Sequence, residues 1–449
     1  MIHRSSCQRG RAPLSSARSG GNVRRFGRNV SQVAGYAVKW SVIATLVGFG
    51  GGLGAYALRT GISLLTRASG AIPLWIAPAV GATIAIVIYL IDPAASGFGT
   101  DRYIEAVNLR YGFMERKTAL TKLLATISTL GFRSSGGVEG PMLIIGGSIA
   151  NTIDRFPVVR RFFTVHDRRI LTMCGAAGAL GAAFHSPLAG GIFAVEVLYK
   201  ASLHYVDLFP AMLSSTMGYV VYSLIDNADP LLRVPEYVPD VRNTIYFVVT
   251  AVVTAVVAIG FVKTFAASRK VAEILPGRRL RPVYGALLTG VVISLVPRSA
   301  GIGLDVIQHL LLNVEPWPIL AALLVAKVLA TSLSVGFGGS AGLVIPALFV
   351  GAVTGNLMAG LFAGGQAGLL ASLVVTGMAA ALASVANVPV AAAVLLVEMV
   401  GLRLAVPATI GSVIGYVIAR RSVIYGDAVQ YQSAFAGSDV RVRDRTADH

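Results

Sequence analysis

The sequence predicts an all-α, polytopic membrane protein. Hydrophobic residues make up 55% of its 449 residues and charged residues only 13%, whereas about 25% of the residues of a soluble domain are charged. The mean hydropathy is +0.71. The 50 glycines favour closely packed and broken helices, which are common in membrane proteins.

The strong positive charge has a topological explanation. The net charge is +17, and the basic residues lie in the termini and in short loops rather than on one folded face. This pattern fits the positive-inside rule and argues against nucleic-acid binding. Cys7 lies in the basic terminus and Cys174 in an apolar segment, so neither a disulfide framework nor a metal site is predicted.

Residues 1–34 form a basic tail that the composition predicts to be disordered. Arginines recur among Ser and Gly, with no apolar core of a cleavable signal. The tail is predicted to anchor the topology, with contact to anionic lipid as the alternative. We predict that both termini are cytoplasmic and that the protein resides in the bacterial inner membrane.

Apolar segments follow in order between the tail and a polar C-terminal segment, residues 433–449. Four can cross a bilayer: residues 41–65, 72–91, 208–224 and 244–265. The others are shorter, and several adjoin Pro breaks: residues 116–132, 170–184, 188–199, 283–296, 319–333, 369–382, 390–400 and 407–418. Such lengths are typical of broken, tilted or re-entrant helices.

Three glycine-rich helix starts, residues 97–101, 136–141 and 336–346, are predicted anion sites. The first backbone N–H groups of a helix are unpaired and carry about half a positive charge. They bind an anion without a full cation, so the anion can leave again. Thr100 or Asp101 is the predicted N-cap of the first helix start.

Glu139 lies at the second helix start and is the predicted gate. An ionisable residue within a membrane domain is a functional candidate by default. Its carboxylate can occupy the place of a mobile anion and vacate that place on protonation. The structural alternative is a carboxylate that only stabilises the helix N-terminus.

Other ionisable residues are predicted to support this site. Glu196 and Glu398, near helix ends, are predicted to cap helices or pair with backbone groups. Lys122 either adds positive potential or extends to the membrane interface. His185, beside a Pro break, is interpreted as a hydrogen-bonding residue. No nucleophile–base set, phosphate loop or metal cluster is visible in the sequence, so we predict no catalytic residues, no bound metal, no cofactor and no enzyme.

The chain contains an internal repeat. Each half has, in order, a Lys-bearing helix, a glycine-rich break ending in Pro, a Gly/Ala helix, a second Pro break and a helix ending in Glu. The equally spaced landmarks are Lys122 and Pro141 with Lys327 and Pro346, and Pro187 and Glu196 with Pro389 and Glu398. Such repeats indicate a transporter or channel with its site at the repeat interface. The predicted halves are residues 35–225 and 241–432.

These motifs resemble those of the CLC family of chloride channels and chloride/proton exchangers over residues 35–432. The matching segments are Gly137-Val138-Glu139-Gly140-Pro141 for G-(K/R)-E-G-P, Gly342-Leu343-Val344-Ile345-Pro346 for G-x-F-x-P, and residues 187–196. The resemblance implies an inverted-repeat helical fold and a homodimer with one chloride pathway per subunit. The family's cytoplasmic CBS domains have no match here, as in bacterial-type members.

The resemblance also implies roles for individual residues. Glu139 matches the gating glutamate. Val344 and Ile345 match residues whose amides hold the central anion, and Tyr425 matches the tyrosine whose hydroxyl reaches it. The other predicted anion-binding residues at the first two helix starts are Phe98, Gly99, Gly137, Val138 and Gly140.

Four departures from the family pattern bear on selectivity and coupling. Phe98 replaces the anion-coordinating serine of G-S-G-I-P, which removes a hydroxyl. Val344 replaces the aromatic residue of G-x-F-x-P, and Val138 replaces the basic residue before the gating glutamate. Val197 occupies the position directly after Glu196. Exchangers often carry an inner proton glutamate at this position, whereas channel members, like this chain, carry a residue that cannot be protonated.

The sequence therefore predicts a chloride-conducting protein, with a passive, gated channel preferred because of Val197. The alternative within the family is a chloride/proton antiporter, since some exchangers lack the inner glutamate. A more distant alternative is a secondary transporter of a cation or a carboxylate solute with Glu139 and Glu196 as ligands.

Overall fold

The computed structural model describes residues 18–153, 163–199, 205–226, 230–235, 240–422 and 424–425. The chain divides into a unit of residues 1–43 and a larger unit of residues 44–449. Within the described ranges the structure consists of sixteen α-helices, short 3-10 turns and one isolated β-bridge. The predicted all-α class is confirmed.

The helices fall into two series of eight. The first series is α1 (Arg18–Ala68), α2 (Ala77–Ile91), α3 (Thr100–Leu109), α4 (Lys117–Gly131), α5 (Glu139–Ile153), α6 (Val165–Phe184), α7 (Ala189–Glu196) and α8 (Tyr205–Ile225). The second is α9 (Thr244–Ile274), α10 (Arg281–Leu295), α11 (Leu304–Leu312), α12 (Trp317–Gly336), α13 (Val344–Phe362), α14 (Ala367–Ala386), α15 (Pro389–Val400) and α16 (Ala405–Ala419).

Within the smaller unit, the described residues are helical from Arg18 onward. Residues 18–34, predicted to be disordered, are thus part of α1, because extending an existing helix costs far less than nucleating one. The rings of Tyr36 and Trp40 lie 6.2 Å apart, and the Lys39 ammonium lies 5.6 Å from the Trp40 ring. Residues 1–17 and the predicted C-terminal tail, 433–449, lie outside the described residues.

Seven helical segments of the described chain are long and apolar enough to cross a membrane. They are Ala34–Ala71, Val206–Ile225, Thr244–Ile274, Trp317–Gly336, Val344–Phe362, Ala367–Ala386 and Leu402–Ala419. The remaining apolar helices are shorter, for example Pro389–Val400. This mixture of long and short helices confirms an integral membrane protein with broken helices.

Glycine lets the central helices approach closely. A Cβ atom on Gly175 of α6 would lie 2.7 Å from the Gly146 carbonyl carbon of α5, and one on Gly351 of α13 would lie 2.6 Å from the Gly377 carbonyl carbon of α14. Any larger residue would force these helices apart. The 18-residue apolar window of α14 is fully buried, so the core lies around this helix.

The two series repeat each other, as the sequence predicts. The loops before α3 and α11 both end in a left-handed glycine, Gly99 (φ +90°) and Gly303 (φ +88°). The helices before the second break, α6 and α14, both end at a non-glycine residue in the left-handed region, His185 (φ +53°) and Asn387 (φ +59°). Matching strained positions show that the break is built alike in both halves.

Contacts between the halves are reciprocal. The Thr126 hydroxyl pairs with that of Ser340 at 2.9 Å, and the equivalent Thr331 hydroxyl pairs with Ser135 at 2.9 Å. Such exchange of the same contact in both directions is the property of a two-fold axis. Near this axis, Gly137 and Gly342 form an antiparallel bridge, so the two chain directions oppose each other and the repeat is inverted.

The carboxylates at the ends of α7 and α15 also make reciprocal contacts, each to the helix start of the other half. Glu196 accepts hydrogen bonds from the amides of Val390 (3.0 Å) and Ala391 (2.7 Å) at the start of α15. Glu398 accepts hydrogen bonds from the amides at the start of α7, those of Leu188 (2.9 Å) and Ala189 (2.8 Å). Each half therefore caps a helix of the other.

Candidate functional site

Glu139 is the first residue of α5, and its side chain is fully buried. Its Oε1 accepts a hydrogen bond from the Val344 amide at the start of α13. The N-cap residue of α13, Leu343, provides no side-chain cap, so the carboxylate of one half occupies the helix start of the other. Its second oxygen, Oε2, has no hydrogen-bond partner within the described chain.

The glycines of the β-bridge make room for this carboxylate. A Cβ atom on Gly137 would lie 2.8 Å from the Glu139 Cδ atom, and one on Gly342 would lie 2.5 Å from it. The backbones themselves are joined by Gly137 N–H to Gly342 O at 2.8 Å and Gly342 N–H to Gly137 O at 2.6 Å. Gly137, a predicted amide donor, is therefore already engaged, because its N–H bonds the bridge. The first-turn amides of Glu139 and Gly140 begin α5 and lack intrahelical partners.

Phe98 lies in the loop before α3 and is 5% exposed. Its ring centroid is 5.9 Å from that of Phe265, in an edge-on arrangement, and 5.9 Å from that of Tyr425. The guanidinium carbon of Arg269 lies 5.9 Å from the same centroid, within range of a cation–π contact. The residue that replaces the family serine is thus enclosed by two aromatic rings and a guanidinium.

Lys122 holds the loop that carries Phe98. Its buried ammonium donates hydrogen bonds to the Ala95 carbonyl at 3.0 Å and the Gly97 carbonyl at 2.6 Å. Because the ammonium is fully buried, the side chain does not extend out of the protein, as the predicted role at the membrane interface requires. The equivalent Lys327 donates to the carbonyls of Ser299, Gly301 and Ile302 at 3.3, 2.8 and 3.2 Å. Both lysines thus clamp the loop before a short helix.

The start of α3 differs in detail from the prediction. Neither Thr100 nor Asp101 is the N-cap, because Gly99, in the left-handed conformation, takes that position and Thr100 begins the helix. The Thr100 side chain, itself buried, instead lies beside the Tyr425 hydroxyl. Tyr425 thus joins the first helix start to the end of the described chain.

The structure brings some predicted residues together and separates others. Phe98 contacts Tyr425, and Glu139 contacts Val344. Glu196 bonds the start of α15 instead. Val197 is the half-buried C-cap of α7. The supporting role of Glu196 is thus a helix cap in this structure.

Two cavities adjoin the site. The larger, about 670 Å³, reaches Phe98 and is lined by five arginines and two acidic residues. These are Arg102, Arg269, Arg278, Arg279 and Arg281, with Asp101 and Glu273. We call this cavity the arginine basin. Its excess of positive charge attracts anions.

The smaller cavity, about 100 Å³, includes Arg59, Val138, Tyr222, Ile302 and Ile345 in its wall. We call it the Arg59 cavity. It shares no lining residue with the arginine basin. Val138 directly precedes Glu139, and Ile345 directly follows Val344. Because Glu139 and Val344 form the hydrogen bond between the helix starts, this cavity adjoins the same helix starts.

Sequence reasoning missed Arg59, Phe265 and Arg269. Arg59 lies within the predicted span 41–65, where an ionisable residue is a functional candidate by default, so its charge is the signal that would have found it. Arg269 follows the predicted end of its helix at residue 265, whereas α9 continues to Ile274. The amphipathic pattern that continues past the apolar span is the signal that would have assigned Arg269 to this helix. Among the described residues, no group of three or more His, Cys, Asp or Glu could hold a metal ion.

Comparison with known proteins is consistent with this architecture. The family model described as voltage gated chloride channel matches residues 80–420. An uncharacterized protein of Methanocaldococcus jannaschii is 28% identical over 411 residues, which cover 90% of this chain and 98% of that protein. A chloride/fluoride channel protein of Pseudomonas syringae pv. tomato is 26% identical over 343 residues, 73% of each chain.

The fold itself matches a solved structure. The crystal structure of a slow cyanobacterial Cl⁻/H⁺ antiporter has a TM-score of 0.75 and 20% identity, and the match covers 89% of this chain and 98% of that chain. At this identity the likeness concerns the fold alone.

Proposed function

Because this chain belongs to the CLC family of voltage-gated chloride channels and chloride/proton exchangers, we propose that it is a passive chloride channel gated by Glu139. The observation that carries the proposal is the hydrogen bond of the buried Glu139 carboxylate to the Val344 amide. A helix start of this kind binds anions, and here a tethered anion occupies it.

Protonation provides the opening step. A neutral carboxyl group loses its attraction to the positive end of α13, and a mobile anion can then take its place. Backbone amides hold that anion without a full charge, so it dissociates again. The proposed ligands are the amides of Gly140, Val344 and Ile345, with the Tyr425 hydroxyl nearby. Gly99 and Val138 are the remaining proposed anion ligands. Gly137 is not one of them, because its N–H donates to the Gly342 carbonyl in the β-bridge.

The charge of the arginine basin supports an anion as the transported species. Five guanidinium groups line a cavity that ends at Phe98, against two carboxylates. Such a cavity raises the local concentration of anions and repels cations. A cation transporter with Glu139 and Glu196 as ligands is disfavoured for this reason, and because Glu196 already accepts two backbone hydrogen bonds.

Val197 supports a channel over an exchanger, because its side chain cannot carry a proton. The alternative is a chloride/proton antiporter, since some exchangers of the family lack the inner glutamate. In both cases Glu139 is the group that protonates. The difference lies in whether every chloride movement is coupled to a proton.

The decisive experiment is the reversal potential of the purified protein in a planar bilayer, at a fixed chloride gradient and a varied pH gradient. A channel keeps the chloride equilibrium potential at every pH gradient. An antiporter shows a potential that moves with the pH gradient. Absence of both chloride current and chloride efflux from liposomes, with flux that follows sodium or an organic acid, would overturn the proposal.

We further propose a homodimer in the bacterial inner membrane, with a separate pathway in each subunit and cytoplasmic termini. Apolar residues on α8 and α16, such as Leu224 (81% exposed) and Val417 (57% exposed), have no cover within the described chain. Lipid or a second copy would cover them. Light scattering in detergent tests this, with twice the chain mass of 46.8 kDa expected.

A further inference from the structure

Four guanidinium groups of the arginine basin come from one short stretch of the chain, the end of α9 and the start of α10. They belong to Arg269 of α9, Arg278 and Arg279 of the loop, and Arg281, the first residue of α10. The left-handed Gly277 (φ +74°) and the hydrogen bond from the Leu280 amide to the Gly277 carbonyl, 2.7 Å, turn this loop. The turn brings all four arginines to the wall of one cavity.

These four guanidinium groups have no carboxylate within ion-pair distance in the described part of the chain. Arg269 is half-buried against the Phe98 ring. Arg281 donates from Nη2 to the backbone carbonyl of Glu273 at 2.7 Å and not to its carboxylate. Arg278 and Arg279 are exposed and make no side-chain hydrogen bond to a described residue. The basin thus combines two positioned guanidinium groups with two free ones.

The other charged residues of the basin do not neutralise it. The fifth arginine, Arg102, holds its own loop through hydrogen bonds to the Pro93 carbonyl at 2.8 Å and the Ser96 hydroxyl at 3.3 Å. The Asp101 carboxylate accepts a hydrogen bond from the Arg102 amide at 2.9 Å, and Glu273 is exposed. Five guanidinium groups against these two carboxylates leave three positive charges uncompensated.

The size and the donors of the basin fit a ligand larger than a halide. The cavity volume is about 670 Å³, whereas a water molecule occupies roughly 30 Å³ in the liquid. A guanidinium group binds phosphate through two parallel hydrogen bonds, and a phosphate ester carries a charge of about −1.5 to −2 at pH 7. We propose that the arginine basin is a regulatory site for a ligand with two or more phosphate groups, whose binding blocks the anion pathway.

The distribution of basic residues indicates that the basin faces the cytoplasm, where nucleoside triphosphates are found. Residues 269–281, at the C-terminal end of α9, contain five Lys and Arg, whereas residues 226–243, before its N-terminal end, contain two. Short loops rich in Lys and Arg remain on the cytoplasmic side. A soluble polyphosphate therefore has access to the basin.

The position of the basin explains why its occupant blocks transport. Phe98 and Gly338 lie in the basin wall, and the Gly97 amide donates to the Gly338 carbonyl at 3.1 Å. A polyphosphate in the basin covers Phe98 and neutralises the charge that concentrates chloride there. The block rests on the proposed function, whereas the binding does not.

Isothermal titration with inorganic triphosphate in magnesium-free buffer tests the binding without transport. We expect the double variant Arg278→Gln/Arg279→Gln to bind about a hundredfold more weakly than wild-type protein, about tenfold for each guanidinium lost. The matched control is Arg420→Gln/Arg421→Gln, another exposed pair of neighbouring arginines, which does not line the basin and should keep the wild-type affinity. No binding to wild-type protein, or an equal loss in both double variants, would overturn the inference.

Two further titrations identify the source of the phosphate groups. Equal affinities for ATP and inorganic triphosphate, unchanged between nanodiscs of phosphatidylcholine and nanodiscs that contain cardiolipin, indicate a soluble phosphate chain. Loss of triphosphate binding in the cardiolipin nanodiscs indicates that a lipid headgroup with two phosphates occupies the same arginines.

Chloride efflux from liposomes tests the block. Triphosphate on both sides of the membrane should slow wild-type efflux several-fold, and Arg278→Gln/Arg279→Gln should lose this inhibition. If bound triphosphate leaves wild-type efflux unchanged, the regulatory role is wrong. If wild-type protein binds triphosphate but conducts no chloride at any triphosphate concentration, the proposed function fails and the binding site stands.

Discussion

At the scale of single residues, the site depends on where one carboxylate rests. Glu139 is buried without a basic partner, and its hydrogen bond is to the Val344 amide at a helix start. A buried carboxylate with one unpaired oxygen is held less firmly than one with a full set of partners. The side chain is thus suited to leave when it is protonated.

Replacing Glu139 with Gln should make anion flux independent of pH. The amide side chain cannot ionise, so proton concentration no longer decides how often the helix start is vacated. Chloride efflux from liposomes measured between pH 4 and pH 8 should rise toward acid pH for the wild-type protein and stay flat for Glu139→Gln. Glu398→Gln is the matched control: it also removes a carboxylate that bonds helix-start amides, although a half-buried one, and it should keep the wild-type pH dependence. Flux from Glu139→Gln that retains this dependence would remove Glu139 as the gate.

Replacing Gly342 with Ala should displace the Glu139 carboxylate. The added Cβ would lie 2.5 Å from the Glu139 Cδ atom and 3.0 Å from the Gly140 amide nitrogen, and such overpacking costs about 1–3 kcal/mol. We expect faster chloride flux at neutral pH together with a lower thermal unfolding temperature.

Gly260→Ala is the control for Gly342→Ala. Nothing lies within 4 Å of a Cβ at Gly260, which is a helical position of α9. Ala should therefore raise helix stability by up to about 1 kcal/mol and leave flux unchanged. Equal flux in wild-type protein and Gly342→Ala would show that the carboxylate does not depend on this glycine.

At the scale of elements, the sequence predicted the order of the helices and the breaks that contain Gly or Pro, because these residues act locally. It counted residues 72–91 as long enough to span the membrane, whereas the helix there is the shorter Ala77–Ile91. The sequence did not predict the end of a helix that continues into polar residues beyond its apolar segment. Thus α9 runs nine residues past the predicted end at 265, and Gly99 rather than Thr100 caps α3. Phe98 and Glu139 were found from their motifs, whereas Arg59 and Arg269 come from α1 and α9, far away in sequence.

The lysine clamps allow a test at this scale. Lys122→Met and Lys327→Met each leave loop carbonyls without donors, and we expect each to lower stability by about 2 kcal/mol or more. Only Lys122→Met should also change anion selectivity, because its loop carries Phe98. Thermal unfolding in detergent and chloride-to-nitrate permeability ratios measure both effects. Lys263→Met, at an exposed position of α9, serves as the control and should alter neither quantity; wild-type stability in Lys122→Met would contradict the clamp.

At the scale of the whole molecule, neither half completes the site alone. The Glu139 carboxylate of the first half needs the α13 amides of the second, and each half caps a helix of the other through Glu196 and Glu398. The hydroxyl pairs and the β-bridge add further bonds across the same interface. The halves therefore fold as one body.

Two separately expressed halves should reassemble. We expect residues 1–233 and 234–449, produced together with an affinity tag on the first piece, to purify as a complex that conducts chloride. The many buried reciprocal contacts make the association stable without the peptide link. Adding Glu196→Ala and Glu398→Ala together should reduce recovery of the second piece several-fold. Recovery unaffected by these two changes, or halves that never associate, would show that the reciprocal caps do not join them.

Position 344, the symmetry mate of Glu139 205 residues away, carries valine, and this departure from the symmetry has a consequence for the proposed pathway. Two identical halves would place two carboxylates at the same axis, where they would repel each other and compete for the same amides. With a single acid there, the two ends of the proposed pathway are unequal, which is the asymmetry that rectification requires.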